Sequence, residues 1–435
     1  MSLLPGRPSR ETFGFFAWGV VKAPMMLPSS SSEPALSSMT NSFVPARPDE
    51  LPIDGDAVVI LDELVRRATR FGSSDIHLEP KRDFMQVRFR IDGTMTEQGV
   101  VTAEVAPQVI SRIKVLSRMD ISERRLPQDG QFTLEPGQGG RVHLRASTFP
   151  SSLGEKIVLR ILLGQSLIPF DRLGMSATMR ARVRELVTKP QGFLVTCGPT
   201  GSGKTSTLYA FLQLIDTTSV NVVTLEDPIE VELATITQGQ TNQRTGFTFA
   251  AGLRAILRQD PDVILVGEIR DAETAAIALQ ASLTGHLVLT TLHTSDTVET
   301  IVRLVDLGIE PWIIANALSV VLAQRLVRVV CRNCAEASVL IGDLVEGDEL
   351  LLEAGTSVVT PKGCAQCRGT GYRGRTGIFE TLEMTDDIRE LVKNKATSVA
   401  YRDLLRARKI PSIRQIGLEK VRAGITTVDE VLRVT

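Results

Sequence analysis

Gly198-Pro199-Thr200-Gly201-Ser202-Gly203-Lys204-Thr205 decides the fold of the region around it. Ahead of it runs Phe193-Leu194-Val195-Thr196-Cys197, an apolar segment with the character of a strand buried on both faces. Behind it, Ser206 to Leu214 carries apolar residues at helical spacing. Strand, glycine loop and helix in this order make a P-loop, which binds a nucleoside triphosphate. Glycines let backbone N–H groups converge on an anion, and the helix N-terminus adds partial positive charge. The binding set is Gly198, Pro199, Thr200, Gly201, Ser202, Gly203, Lys204, Thr205 and Ser206. Lys204 is expected to reach the β- and γ-phosphates of ATP, and the Thr205 hydroxyl to ligate Mg2+.

Further strand candidates follow at 220–225, 263–266 and 287–291, alternating with helices as an α/β core requires. Asp262-Val263-Ile264-Leu265-Val266-Gly267-Glu268 is an apolar strand ending in an acid, the form of a Walker B element. Glu226-Asp227-Pro228-Ile229-Glu230 closes another strand, and acids at such an end lie where α/β sheets bind ligands. His286 and His293 bracket the strand between them, and an imidazole beside the γ-phosphate could sense it. These readings add Glu226, Asp227, His286 and His293 to the nucleotide site.

Upstream, Val58, Leu61, Leu64, Val65 and Ala68 form an amphipathic stripe. Alternation over 85–91 predicts a strand, residues 107–118 a helix, and 142–146 and 156–162 two further strands. Residues 1–52 are rich in Ser and Pro and read as a disordered or linking segment. The expected division is 1–52, an α+β domain over 53–168, the P-loop core over 169–330, a cysteine module over 331–370, and a helical region over 371–435.

Cys331-x-x-Cys334 and Cys364-x-x-Cys367 have the spacing of a four-thiolate zinc site, closed to water and therefore structural. The fifth cysteine, Cys197, reads as an inert core thiol. Paired Cys-x-x-Cys motifs point to a reducing compartment. No apolar run reaches the roughly twenty residues needed to span a bilayer, since Lys22 and Pro24 interrupt the stretch from Phe13 to Leu27. The chain is expected to be cytoplasmic.

Taken together, the P-loop, the Glu-Asp-Pro-Ile-Glu box, Gly267-Glu268-Ile269-Arg270-Asp271 and Thr284-Gly285-His286 with Thr291-Leu292-His293-Thr294 resemble the ATPases of type II secretion and type IV pilus assembly. Gly72-Ser73-Ser74-Asp75-Ile76-His77, Arg125-Leu126-Pro127-Gln128-Asp129-Gly130, Gly417-Leu418-Glu419 and Gly424-Ile425-Thr426-Thr427 extend the resemblance from about residue 56 to the C-terminus. It implies a RecA-like α/β core behind a small PAS-like α+β domain, with a zinc insert and a helical tail. It implies Glu230 as the preferred general base and Glu268 as the Walker B carboxylate, a choice the residues themselves leave open. It assigns Arg145 and Arg160 to the nucleotide across a domain cleft, and Arg258 and Arg303 to the phosphates, some from a neighbouring subunit.

What the resemblance implies overall is a homo-hexameric ATP hydrolase driving pseudopilus assembly and protein export. Its partners would be inner-membrane platform proteins, through which it is peripheral on the inner membrane. Resembling proteins carry a further N-terminal docking domain, so either a truncated chain or a different adaptor is expected here. The alternatives are a pilus-extension ATPase and a nucleic-acid-translocating motor. Lys plus Arg at 49 against Asp plus Glu at 50, with three tyrosines, speaks against the basic, aromatic channel of the latter. The loop reading predicts that Lys204→Ala abolishes ATP turnover in a phosphate-release assay; normal turnover would remove the P-loop from the mechanism.

Overall fold

Asp56 caps the first described helix by accepting the Val58 N–H at 3.1 Å, fixing where the stripe of Ile60, Leu61, Leu64, Val65 and Ala68 begins. Val58, expected in that stripe, is exposed instead. The computed structural model describes residues 55–136, 140–162, 167–346 and 349–435, so the segment 1–52 lies outside it. The chain runs α1 (Ala57–Arg70), β1 (Ser73–Pro80), β2 (Phe84–Ile91), β3 (Thr94–Thr102), α2 (Ala106–Leu116), β4 (Gln128–Leu134), β5 (Val142–Ser151) and β6 (Gly154–Leu162). These six strands form one antiparallel sheet in the order β3-β2-β1-β6-β5-β4.

Strict alternation decides what each face of that sheet carries. Val142, Leu144 and Ala146 point into a core shared with α1 and α2, so His143 and Arg145 point the other way. Ile157, Leu159 and Ile161 do the same in β6 and turn Arg160 outward. Arg145 and Arg160 are direct cross-strand partners, so the helix-free face presents two adjacent guanidinium groups.

A second sheet follows. Its elements are α3 (Ala177–Val187), β7 (Gly192–Cys197), α4 (Lys204–Leu212), β8 (Val222–Glu226), β9 (Thr237–Gln240), α5 (Phe249–Ile256), β10 (Val263–Val266), α6 (Ala272–Leu283), β11 (Leu287–Leu292), α7 (Thr297–Asp306), α8 (Pro311–Ala317) and β12 (Leu318–Val330). Next come β13 (Ala335–Val339), β14 (Leu344–Glu346), β15 (Glu349–Leu352), β16 (Ser357–Pro361), β17 (Tyr372–Glu383), α9 (Asp386–Lys393), α10 (Ser398–Ala407), α11 (Ile413–Arg422) and α12 (Val428–Val434). The sheet order is β17-β12-β7-β11-β10-β8-β9, parallel throughout except for the antiparallel edge strand β17. Every residue of β7, β8, β10 and β11 is buried, because helices cover both faces.

Residues 372–383 were expected in a helical region, yet they pair with β12 along its length. The cysteine segment is therefore an excursion between two neighbouring strands, and the C-terminal helices begin only after β17. One ion cluster fastens the last of them. Glu430, 1% exposed, accepts from the Arg328 N–H at 3.0 Å and side chain at 2.8 Å, and from Arg433 at 2.9 and 2.6 Å. Burial alone would raise the Glu430 carboxyl, but these arginines outweigh it and hold it down at about 2. A depressed carboxylate contributes stability above its unfolded value of 4.5 and loses it as pH falls through its folded value. Glu430→Gln should cost about 3 kcal/mol at pH 7, read as a lower melting temperature. The gap from wild type should narrow as pH drops from 4.5 toward 2.

Candidate nucleotide site

β7 ends at Cys197 and α4 begins at Lys204, so the intervening loop lies at the carboxyl edge of the parallel sheet. Gly203 caps α4 with φ +91°, a left-handed conformation that leaves the helix N-terminus without a side-chain cap. Gly198 has φ +146°, and a Cβ there would lie 2.5 Å from the Gln324 carbonyl oxygen. Lys204 is buried and donates to the Gly198 carbonyl at 2.7 Å and the Pro199 carbonyl at 3.1 Å, folding its charge over the loop. Burial lowers its ammonium below the ordinary lysine value, with Glu268 acting against that shift. Thr205 is exposed on the first turn of α4, where its hydroxyl suits an oxygen-seeking cation beside a bound phosphate. Cys197 behind the loop is fully buried, and burial pushes its thiol up to about 11, as suits an inert residue.

Strand register brings the other groups to the same edge. Val266 pairs with Leu225 and Thr290, and Leu292 with Cys197, so the residues just past β8, β10 and β11 line up beside the loop. Glu268 is there, ion-paired with Arg270 and 3.1 Å from His293 Nε2. Glu230 is half-buried, and burial raises its carboxyl above the ordinary glutamate value. Arg160 opposes that rise, Glu226 adds to it, and Arg145 opposes it, so both arginines of the six-stranded sheet act on Glu230. Asp75 holds the Arg160 Nε at 3.0 Å and so orients it.

Four expectations are placed differently. Glu226 spends both oxygens inside the protein, accepting from Tyr209, from Thr224 at 2.6 Å and from Gln238 at 3.1 Å, so it braces the site rather than facing a ligand. The exposed Asp227 is the member of that pair open to one. His286 precedes β11 while His293 follows it, so His286 stands at the opposite edge of the sheet, about 20 Å away at 3.3 Å per residue. There its Nδ1 donates to the Ala281 carbonyl at 2.9 Å, closing the end of α6. Arg258 donates to the Arg254 carbonyl at 2.7 Å. Its neighbours Gln259 and Asp260 bond Asn221, just before β8, so it too lies at the far edge. Arg303 is exposed on the last turn of α7, a helix length from the edge. Within one chain neither arginine is brought to the loop.

Gln324 and Arg325 were missed. Gln324 accepts from Thr207 of α4 at 2.8 Å, and its side-chain amide lies 2.9 Å from where a Cβ on Gly203 would sit. A polar Gln-Arg pair inside the apolar run Leu318–Val330 was the available signal.

The description "Type II/IV secretion system protein" matches residues 53–433. The chain belongs to that family. The type II secretion system protein E of Pseudomonas aeruginosa is 47% identical over 397 residues, covering 90% of this chain and 78% of that one. The type II secretion system ATPase E of Vibrio cholerae is 45% identical over 401 residues with the same coverage. Among solved structures, the pilus retraction motor PilT with bound ADP superposes with a TM-score of 0.58 at 25% identity, over 86% of this chain and 96% of that one. The Legionella pneumophila ATPase DotB shares the fold, with a TM-score of 0.65 at 22% identity over 89% and 97%. This family member has a mixed α/β fold, and no helix among its described residues is long and apolar enough to cross a membrane.

Cys331, Cys334, Cys364 and Cys367 meet at the base of the excursion, all four sulfurs within 4.8 Å of one another. Cys331 Sγ lies 3.9 Å from Cys364 Sγ, and Cys367 Sγ 3.7 Å from both Cys334 and Cys364. A tetrahedral zinc with bonds of about 2.3 Å sets its sulfurs about 3.8 Å apart, so the cluster fits that ion. Burial disfavours the Cys367 thiolate, yet N–H groups of Cys364 and Gly371 outweigh it and bring the thiol down to about 6. Purified protein should carry about one zinc per chain by plasma mass spectrometry. Cys364→Ser should release it and lower the melting temperature; fully folded, metal-free wild type would refute the site.

Proposed function

We propose that this chain is the ATPase of a type II secretion system, a homo-hexameric motor that works with inner-membrane platform proteins to drive pseudopilus assembly. The carrying observation is convergence. The P-loop, the Glu268 cluster and a desolvated Glu230 facing two arginines of the other sheet meet at one edge, in a chain of the type II/IV secretion family. Peripheral attachment to the inner membrane, the hexamer and the trans roles of Arg258 and Arg303 belong to this reading.

Each side chain has a task that its surroundings suit. Lys204 is held by two carbonyls of its own loop, and it would exchange them for phosphate oxygens with little displacement. Bound Mg2+ would neutralise charge on the β- and γ-phosphates, with Thr205 as its protein ligand. Glu268 is held between Arg270 and His293 as a well-positioned carboxylate. Glu230 keeps a raised proton affinity and fits the general base that takes the proton of the attacking water. Arg145 and Arg160 could then stabilise charge spread over the transferring phosphoryl group.

Glu230→Gln should retain ATP binding and lose about 100-fold or more in kcat, with Glu268→Gln the milder of the two. A larger loss in Glu268→Gln would move the base to Glu268. Because Glu230 must be ionised to act, wild-type kcat should fall on the acid side with an inflection above 4.5, the ordinary glutamate value.

A further inference from the structure

Arg325 lies beside the P-loop, 9% exposed, and ends all of its hydrogen bonds on main-chain carbonyls. Its Nε donates to Val434 at 2.9 Å, one terminal nitrogen to Gln324 at 3.0 Å, and the other to Ser295 at 2.6 Å. A buried guanidinium bonded only to neutral carbonyls keeps its field. Glu380, Asp296 and Glu299 act on it from longer range.

That field sits directly under the phosphate cradle. One guanidinium nitrogen lies 3.2 Å from where a Cβ on Gly198 would be. The Gln324 carbonyl that Arg325 holds forms the wall against Gly198, and the Gln324 side chain braces Gly203 and Thr207. One residue thus supports both ends of the loop, and Arg325 holds that residue in place. Val434, the penultimate residue, fixes the guanidinium from the far side.

We propose that Arg325 is a positioning residue of the nucleotide site, and that the last turn of α12 is a working part of that site through the Val434 carbonyl. This rests on the ATPase reading and adds a mode of regulation to it. A partner that draws the end of α12 away would release the guanidinium, slacken the Gln324 wall and weaken triphosphate binding without touching the site.

The wild-type chain is compared with Arg325→Gln, Arg325→Lys, a chain ending at Arg433, and the combination of that shortening with Arg325→Gln. Ending at Arg433 keeps the Arg433–Glu430 pair and removes only Val434 and Thr435. Arg325→Gln and the shortened chain should each raise KM for ATP about tenfold with kcat within twofold, and Arg325→Lys should recover part of the loss. The combination should be no worse than Arg325→Gln alone, because both break one linkage. A nonhydrolysable ATP analogue should raise the melting temperature less in these variants; a merely structural role would leave that rise intact. Wild-type KM in the shortened chain, or effects that multiply, would overturn the proposal, and the shortened chain decides alone should Arg325→Gln fail to fold. Wild type that binds the analogue without turnover would sink the hydrolysis reading, and the analogue's Kd in each variant would then decide this one.

Discussion

Strands buried on both faces have no lateral surface on which to display chemistry. In β7, β8, β10 and β11 every side chain is needed for packing, so polar function can emerge only where a strand ends. Parallel pairing then sends all of those carboxyl ends to one side. The P-loop, Glu230, Glu268 and His293 share an edge because the strands that carry them leave no alternative. The same constraint sends His286, one strand length away, to a different task at the end of α6.

The six-stranded sheet obeys the opposite rule. It is antiparallel and covered by helices on one face only, so its free face can carry charge along the whole strand. Asp75 and Glu79 stand on that face of β1, with Arg160 on the first and Arg88 and Lys156 on the second. Arg160 is thereby shared between an acid of its own sheet and the field of Glu230. Arg145 is likewise paired, with Asp129 at 3.7 Å, so an acid of their own sheet holds each of the two arginines.

How much of this was legible depended on whether a residue's role followed from its own neighbours in sequence. The P-loop and the apolar strands around it were readable because local composition and loop chemistry agree there. β1, β3, β4, β9, β12 and β17 were not: Ser73–Pro80, Thr94–Thr102 and Thr237–Gln240 carry too much polar character to stand out without partners, and the apolar run of β12, although beside the P-loop strand, cannot be told from a buried helix by periodicity alone. Glu226 looked like a ligand because its donors, Tyr209, Thr224 and Gln238, come from three elements. His286 was misplaced because proximity in sequence across a strand is distance in space. The four cysteines were readable from spacing, while their position at the foot of a hairpin depended on β12 and β17 pairing across the excursion.

The length of β12 links these parts. Its pairing with β7 stops at Ala323, opposite Cys197, yet the strand runs on to Val330. On that overhang Gln324 braces the P-loop, Arg325 reaches the end of α12, Arg328 clamps Glu430, and Val330 pairs with Tyr372 just before the chain enters the cysteine cluster. The cluster in turn leans on the other sheet. Arg368, next to Cys367, lies 3.8 Å over the Phe71 ring at the end of α1, and Asp92 of the β2–β3 turn accepts the Gly374 N–H at 3.0 Å. The cysteine cluster thus sits at the foot of two strands, β12 and β17, that between them carry these contacts to the nucleotide loop, the terminal helix and the arginine-bearing sheet.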